Sequence, residues 1–366
     1  MVMRWERVEA NGGNGPGARR GHTCNAVEGG KRLYVFGGCG NDQRYTNRVQ
    51  VLDTVKMVWS EPRVKGEPPI PRDSHSCTTV GDDLFVFGGT DGEKPLNDLH
   101  ILETSSNTWI VPKVRGRAPK PRSDHSAAFV GKKLFIFGGC GKHDEEYNDL
   151  HTLDTGTLSW KWTRVFPVGT RRPCKRNSHT CTAWENKIII IGGHDSSGTC
   201  ISDVHILDTD TLRWSKLKTT GPPLPPRAGH TSICLGKSLF VFAGFSTEWN
   251  LYNDIRMLNI ETGAWTDVWT VGPSPSDRLC LAGDSLDPAM RDVLVFLGGC
   301  KKDNFVLDDM YFLHTGPRIL RTTFLMMNCM MWKFYRAKRS HNFEAEMLVF
   351  ADESSSGPNS CMLFNY

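Results

Sequence analysis

At 366 residues the chain could hold two domains, and 44 Lys and Arg against 40 Asp and Glu leave a formal charge of +4. That excess is too mild to argue for nucleic acid as a partner. The opening MVMRWERVEANGG lacks the apolar core of a signal peptide, and no run reaches the roughly 18 uncharged apolar residues that cross a bilayer. A cytoplasmic protein is expected, with the nucleus also open to it.

In chain order, the first element is Arg4-Trp5-Glu6-Arg7-Val8, a short strand carrying a tryptophan. The GGNGPG run at Gly12–Gly17 has no GK[ST] element and no helix behind it, so it reads as a turn and not a phosphate loop. Then come Arg19 with His22, the strand HTCNAV, the apolar strand LYVFGG, the strand VQVLDT and a strand with Trp59. This order repeats. Small pairs end the apolar strands at Gly37-Gly38, Gly88-Gly89, Gly138-Gly139, Gly192-Gly193, Ala243-Gly244 and Gly298-Gly299. Arg72/His75, Arg122/His125, Arg176/His179 and Arg227/His230 precede them, while the sixth unit keeps Arg278 but has Leu281. Tryptophans follow at Trp109, Trp160, Trp214 and Trp265, and Asn-Asp-aliphatic entries such as Asn97-Asp98-Leu99 open the third strand. A period near 50 residues with a double glycine after a strand is the signature of a propeller blade.

In these residues the chain resembles the kelch-repeat family of β-propellers, over residues 1–315. The resemblance implies an all-β fold of six blades, each of four antiparallel strands a to d, with strand b buried between neighbours. The sixth unit lacks a tryptophan strand. Because Arg4-Trp5-Glu6-Arg7-Val8 matches Arg213-Trp214-Ser215-Lys216-Leu217, residues 1–10 are expected to close blade six and remove its open edge. Residues 316–366 are a separate C-terminal extension. Their segment 317–341 is basic and rich in Met, and is read either as disordered or as a short basic helix. Leu325 and Cys329 weakly resemble the start of an elongin-binding box, with Lys333 against it.

Up-and-down strands bring the d–a and b–c loops to one face, and loops on a rigid ring are where recognition concentrates. Arg72, Arg122, Arg176, Arg227 and Arg278 are expected to ring the channel mouth there, where guanidinium groups suit an acidic segment or a C-terminal carboxylate. A structural reading, each arginine paired inside its own blade, stands beside it. Tyr45, Tyr147, Trp249 and Tyr252, with Phe245 and Phe305, are loop aromatics of the types enriched at interfaces. The repeated histidines are read as bonds between strands. The 12 cysteines, with no CxxC among them, are read as buried free thiols in a reducing compartment.

No metal, cofactor or catalytic residue is expected. The copper residues of galactose oxidase do not align, and the E-x-x-x-D-x-x-x-H iron motif of plant specifier proteins is absent, so that kelch-fold enzyme reading is disfavoured. The resemblance therefore implies a non-enzymatic adaptor binding a protein or peptide, like stand-alone kelch proteins. The alternative is a substrate receptor of a cullin-type ubiquitin ligase, although no BTB domain or F-box is expected in this chain.

Overall fold

A strand that is apolar at every position is stable only with both faces covered. Arg32–Phe36, Asp83–Phe87, Lys133–Phe137, Lys187–Ile191, Ser238–Phe242 and Val293–Leu297 are these b strands, and after the first residue every side chain in them is buried. A computed structural model describes residues 2–10, 15–169 and 171–316; the expectations for residues 317–366 lie outside them. Each b strand sits inside an antiparallel sheet. In blade 2 the strands are Ser76–Val80 (a), Asp83–Phe87 (b), Leu99–Glu103 (c) and Thr108–Ile110 (d). The six a strands, Thr23–Val27, Ser76–Val80, Ser126–Val130, Thr180–Trp184, Thr231–Leu235 and Ala282–Ser285, pack in a circle in which the last meets the first. The fold is a six-bladed β-propeller.

The N-terminal strand closes it. Val2–Val8 runs antiparallel to Met310–His314 with Trp5 opposite Leu313, which makes it strand d of blade 6. Trp5 is 2% exposed and packs against Phe242 and Phe296, with ring centroids 5.3 and 5.2 Å away. The strand-d tryptophans work between blades: Trp109 meets Phe36 of the preceding blade at 5.2 Å, and Trp214 meets Phe137 at 5.5 Å.

In blade 3 the inward tryptophan is Trp162, not the expected Trp160. Trp162 pairs with Leu153, is buried, and packs on Phe87 at 5.3 Å, whereas Trp160 is half-buried and stacks on Phe85. The turn between strands c and d is longer here, so counting from the glycine pair stops short.

The four-strand expectation also needs an addition. After leaving strand d, the chain lies parallel along the outer edge of the next blade. Lys65–Gly66 joins Thr108–Ile110, Arg115–Gly116 joins Lys161–Val165, and Trp269–Val271 joins Val2–Val8. Single parallel bridges, Val168 to Arg213 and Thr220 to Ala264, repeat this in blades 4 and 5. Gly66 (φ +75°) shows why glycine is used: a Cβ there would lie 2.1 Å from the Trp109 carbonyl oxygen.

The first glycine of each small pair faces the next blade. A Cβ on Gly37 would fall 2.5 Å from His75 Cε1, and one on Gly138 would fall 2.7 Å from His179 Cε1. Ala243 holds this position in blade 5 with φ +66°, and the following blade carries Leu281 where the others have histidine. Two departures from the repeat therefore fall at one blade junction, where loss of the imidazole leaves room for a methyl group.

Candidate functional site

Just before each strand a, one residue per blade adopts a left-handed backbone: Gly21, Ser74, Asp124, Ser178, Gly229 and Cys280. Gly21 N–H donates to the Cys280 carbonyl, Ser74 to Gly21, Asp124 to Ser74, Ser178 to Asp124, Gly229 to Ser178 and Cys280 to Gly229, all at 2.9–3.0 Å. A closed ring of backbone hydrogen bonds thus surrounds the channel on the face of the d–a and b–c loops.

The five repeat arginines end the d–a loops as the spacing implies, but their side chains turn into the blades. Arg72, Arg122, Arg176, Arg227 and Arg278 are 0–1% exposed. In blade 3, Arg122 Nη1 and Nη2 donate to Asp149 at 2.8 and 3.1 Å, Nη1 also reaches the Gly138 carbonyl at 2.8 Å, and Nε reaches the Lys120 carbonyl at 3.0 Å. Arg72 with Asp98, Arg176 with Asp203, Arg227 with Asp254 and Arg278 with Asp309 repeat the clamp. Burial alone would raise the Asp149 pKa. Hydrogen bonds from His151 and Arg122, and their charges, outweigh it and hold the carboxyl well below its usual range; Asp98 and Asp203 behave alike. These guanidinium groups tie the b–c loop to the d–a loop and are shielded from solvent. Blade 1 has Asn47-Arg48 in place of Asn-Asp, so Arg19 bonds the Gly37 carbonyl and Gln50 instead. Burial and the nearby Arg48 charge lower its pKa to about 10.

Two of the loop tyrosines belong to these clamps. The Tyr147 ring lies 4.5 Å from the Arg122 guanidinium carbon, and the Tyr252 ring lies 4.2 Å from that of Arg227. Tyr147 is buried, Tyr252 half-buried, and Tyr45 packs against Gly92 of the next blade. Trp249 is different: it is 55% exposed and stacks on Phe245 at 4.5 Å, and Phe305 of blade 6 is as exposed.

The histidines join blades. His75, His125, His179 and His230 each place Nε2 2.7–3.1 Å from a hydroxyl on strand a of the preceding blade: Thr23, Ser76, Ser126 and Thr180. The position that would serve His22 is Ala282. Among the described residues no three His, Cys, Asp or Glu side chains converge as a metal site, and the ten described cysteines are free thiols.

Exposed charge collects at blade 3. A cleft of about 380 Å³ opens between its d–a and b–c loops, lined by Arg117, Lys120, Arg164 and Lys175 together with Tyr147 and the carboxylates of Glu145, Glu146 and Asp149. Lys120 pairs with Glu145 at 2.7 Å, while Arg117, Arg164 and Lys175 have no ion pair among the described residues. A hollow of about 550 Å³ on the opposite face is walled by Lys132, Lys133, Asp154, Glu185 and Asp210.

The chain matches the KLHDC2/KLHL20/DRC7 Kelch-repeats domain over residues 2–165 and again over 161–323. It belongs to the kelch-repeat family. This kelch chain is 37% identical to acyl-CoA-binding domain-containing protein 4 of Arabidopsis thaliana over 282 residues, 76% of this chain and 34% of the relative. It is 31% identical to human host cell factor 1 over 295 residues, 72% of this chain and 12% of the other. Tip elongation aberrant protein 1 of Schizosaccharomyces pombe is 28% identical over 257 residues, 69% and 18%. The kelch chain thus spans between 12% and 34% of the length of these relatives. The backbone ring and the blade 3 cleft were not read from its sequence. The ring had a faint signal in the residue just before each histidine, and the cleft had one in the lysines and arginines of VPKVRGRAPKPR.

Proposed function

We propose that this kelch propeller is a non-enzymatic docking module that binds a protein through the d–a and b–c face. The blade 3 cleft receives an acidic segment or a C-terminal carboxylate. The observation that carries this reading is the set of exposed cations, Arg117, Arg164 and Lys175, without ion pairs around a cleft of about 380 Å³. Trp249 and Phe305 add apolar contact on the same face. The repeat arginines support the loops and make no contact with the partner. Affinity capture with the full chain, compared with the R117E/K175E variant, tests it. Partners should be lost from the variant at unchanged melting temperature, and wild-type capture should weaken with salt. Capture unchanged by the substitutions, or lost only when Lys132 and Lys133 on the other face are altered, would overturn it.

A further inference from the structure

Asp73 stands at the channel mouth, one residue before Ser74 of the backbone ring. It is held there by paired backbone bonds to Thr90 at 3.0 and 2.9 Å. It is 8% exposed, and among the described residues its carboxylate meets no hydrogen-bond donor and no ion-pair partner. The adjoining Asp124 donates its amide to the Ser74 carbonyl, and the hydroxyls of Ser123, Ser74 and Ser178 lie beside its carboxylate, opposing the rise in pKa that burial causes. Arg20, the nearest cation, sends its Nη atoms toward Asn304 and Gln43 instead, at 3.4 and 3.5 Å. The carboxylate is recessed yet open to the solvent of the mouth, so a donor arriving there finds an acceptor that no described side chain occupies.

We propose that the channel mouth binds a primary ammonium group, a lysine side chain or free N-terminus of a partner, with Asp73 as its counter-ion and Asp124 behind it. An ammonium group is compact and brings three donors, which suits a single carboxylate set in a narrow mouth. This goes beyond the blade 3 cleft and stands or falls separately from it. Burial and the Asp124 charge push the Asp73 pKa up to about 7, and Arg20 opposes them. The other titratable groups around it, Cys39, Tyr45 and Cys280, all have raised pKa values and stay uncharged near neutrality. An arriving cation therefore competes with a proton on Asp73.

The probes are acetyl-Gly-Lys-Gly-amide, Gly-Gly-Gly-amide with a free amine, and acetyl-Gly-Gly-Gly-amide as neutral control. Each is titrated into the full chain while the amide signals of Ser74 and Asp124 are followed. One or both amine probes should bind, the pair separating lysine from N-terminus, and the neutral control should not. The lysine probe should bind about tenfold more weakly at pH 6 than at pH 8, as expected for competition with a proton of pKa about 7. D73N should abolish binding and its pH dependence without lowering the melting temperature, since the carboxylate has no partner to lose. The proposal is overturned if neither amine binds, if the neutral control binds equally, or if D73N binds like wild type. R117E/K175E should leave amine binding intact.

Discussion

At the scale of single residues, the same side-chain types carry opposite duties, and burial decides which. Arg122 should be structural: replacing it with Ala leaves Asp149 and the Gly138 carbonyl without their donor. The expected cost is about 3–5 kcal/mol of unfolding free energy in denaturant titration. The Ala243 and Leu281 pair permits a sharper test. L281H alone should destabilise by about 1–3 kcal/mol through crowding against the Ala243 methyl group. Adding A243G should recover most of that loss; a double variant no more stable than the single one would refute the coupling. The histidines set the acid response. Burial holds His22, His125 and His230 neutral down to about pH 3, and it likewise holds His75 and His179 well below the usual imidazole range. In the unfolded chain each takes a proton near pH 6.5. A folded pKa below the unfolded one means the unfolded chain binds more protons in between, so stability is full above about pH 6.5 and falls as pH drops. Asp73, Asp83, Asp124, Glu146 and Asp284 are raised chiefly by burial and act in the opposite sense, but only Asp73 and Asp284 move far, to about 7 and about 6, while all five histidines are strongly lowered. The melting temperature should therefore decline from pH 7 toward pH 4, and a flat profile would contradict this balance.

At the scale of the element, the N-terminal strand matters most. Trp5 fills the space between blades 5 and 6, so Trp5→Ala should cost about 3–5 kcal/mol. Removing residues 1–10 would expose the edge of Met310–His314 and should lower the melting temperature sharply; an unchanged transition would refute closure by this strand. This strand was legible because its Arg-Trp pattern matches Arg213-Trp214 and the sixth unit lacks a tryptophan. Blade 3 shows the limit of counting: two added turn residues were enough to shift the inward tryptophan to Trp162. The direction of the arginines was harder to read, since spacing places a residue along a loop but says nothing of which way its side chain turns. Their partners were nonetheless present in the repeat, as Asp98, Asp149, Asp203, Asp254 and Asp309 at the entries to strand c. Opposite charges recurring together in every blade mark a clamp. The exposed cations of blade 3, by contrast, occur in one blade only, and period-based reading passes over what does not repeat.

At the scale of the whole molecule, three kinds of link recur between neighbouring blades, though not all at every junction: tryptophan against phenylalanine, histidine to hydroxyl, and the parallel segment on the outer edge. The second is missing at two junctions: blade 6 carries Leu281 in place of the histidine, and Ala282 offers His22 of blade 1 no hydroxyl. Ala282→Ser should restore that bond and add about 1 kcal/mol to stability, read as a raised melting temperature. The six-bond ring has another consequence. A hoop of identical links cannot be widened by yielding at one point, because each link holds the two blades beside it at a set distance. The aperture is thus a fixed gauge, and a partner arriving at this face meets a surface whose shape is already set. A signal passed through such a body would travel by occupancy, one partner covering ground another needs, and not by dilation of the disc. The amides of Gly21, Ser74, Asp124, Ser178, Gly229 and Cys280 should accordingly exchange with deuterium together, and only when the whole disc comes apart.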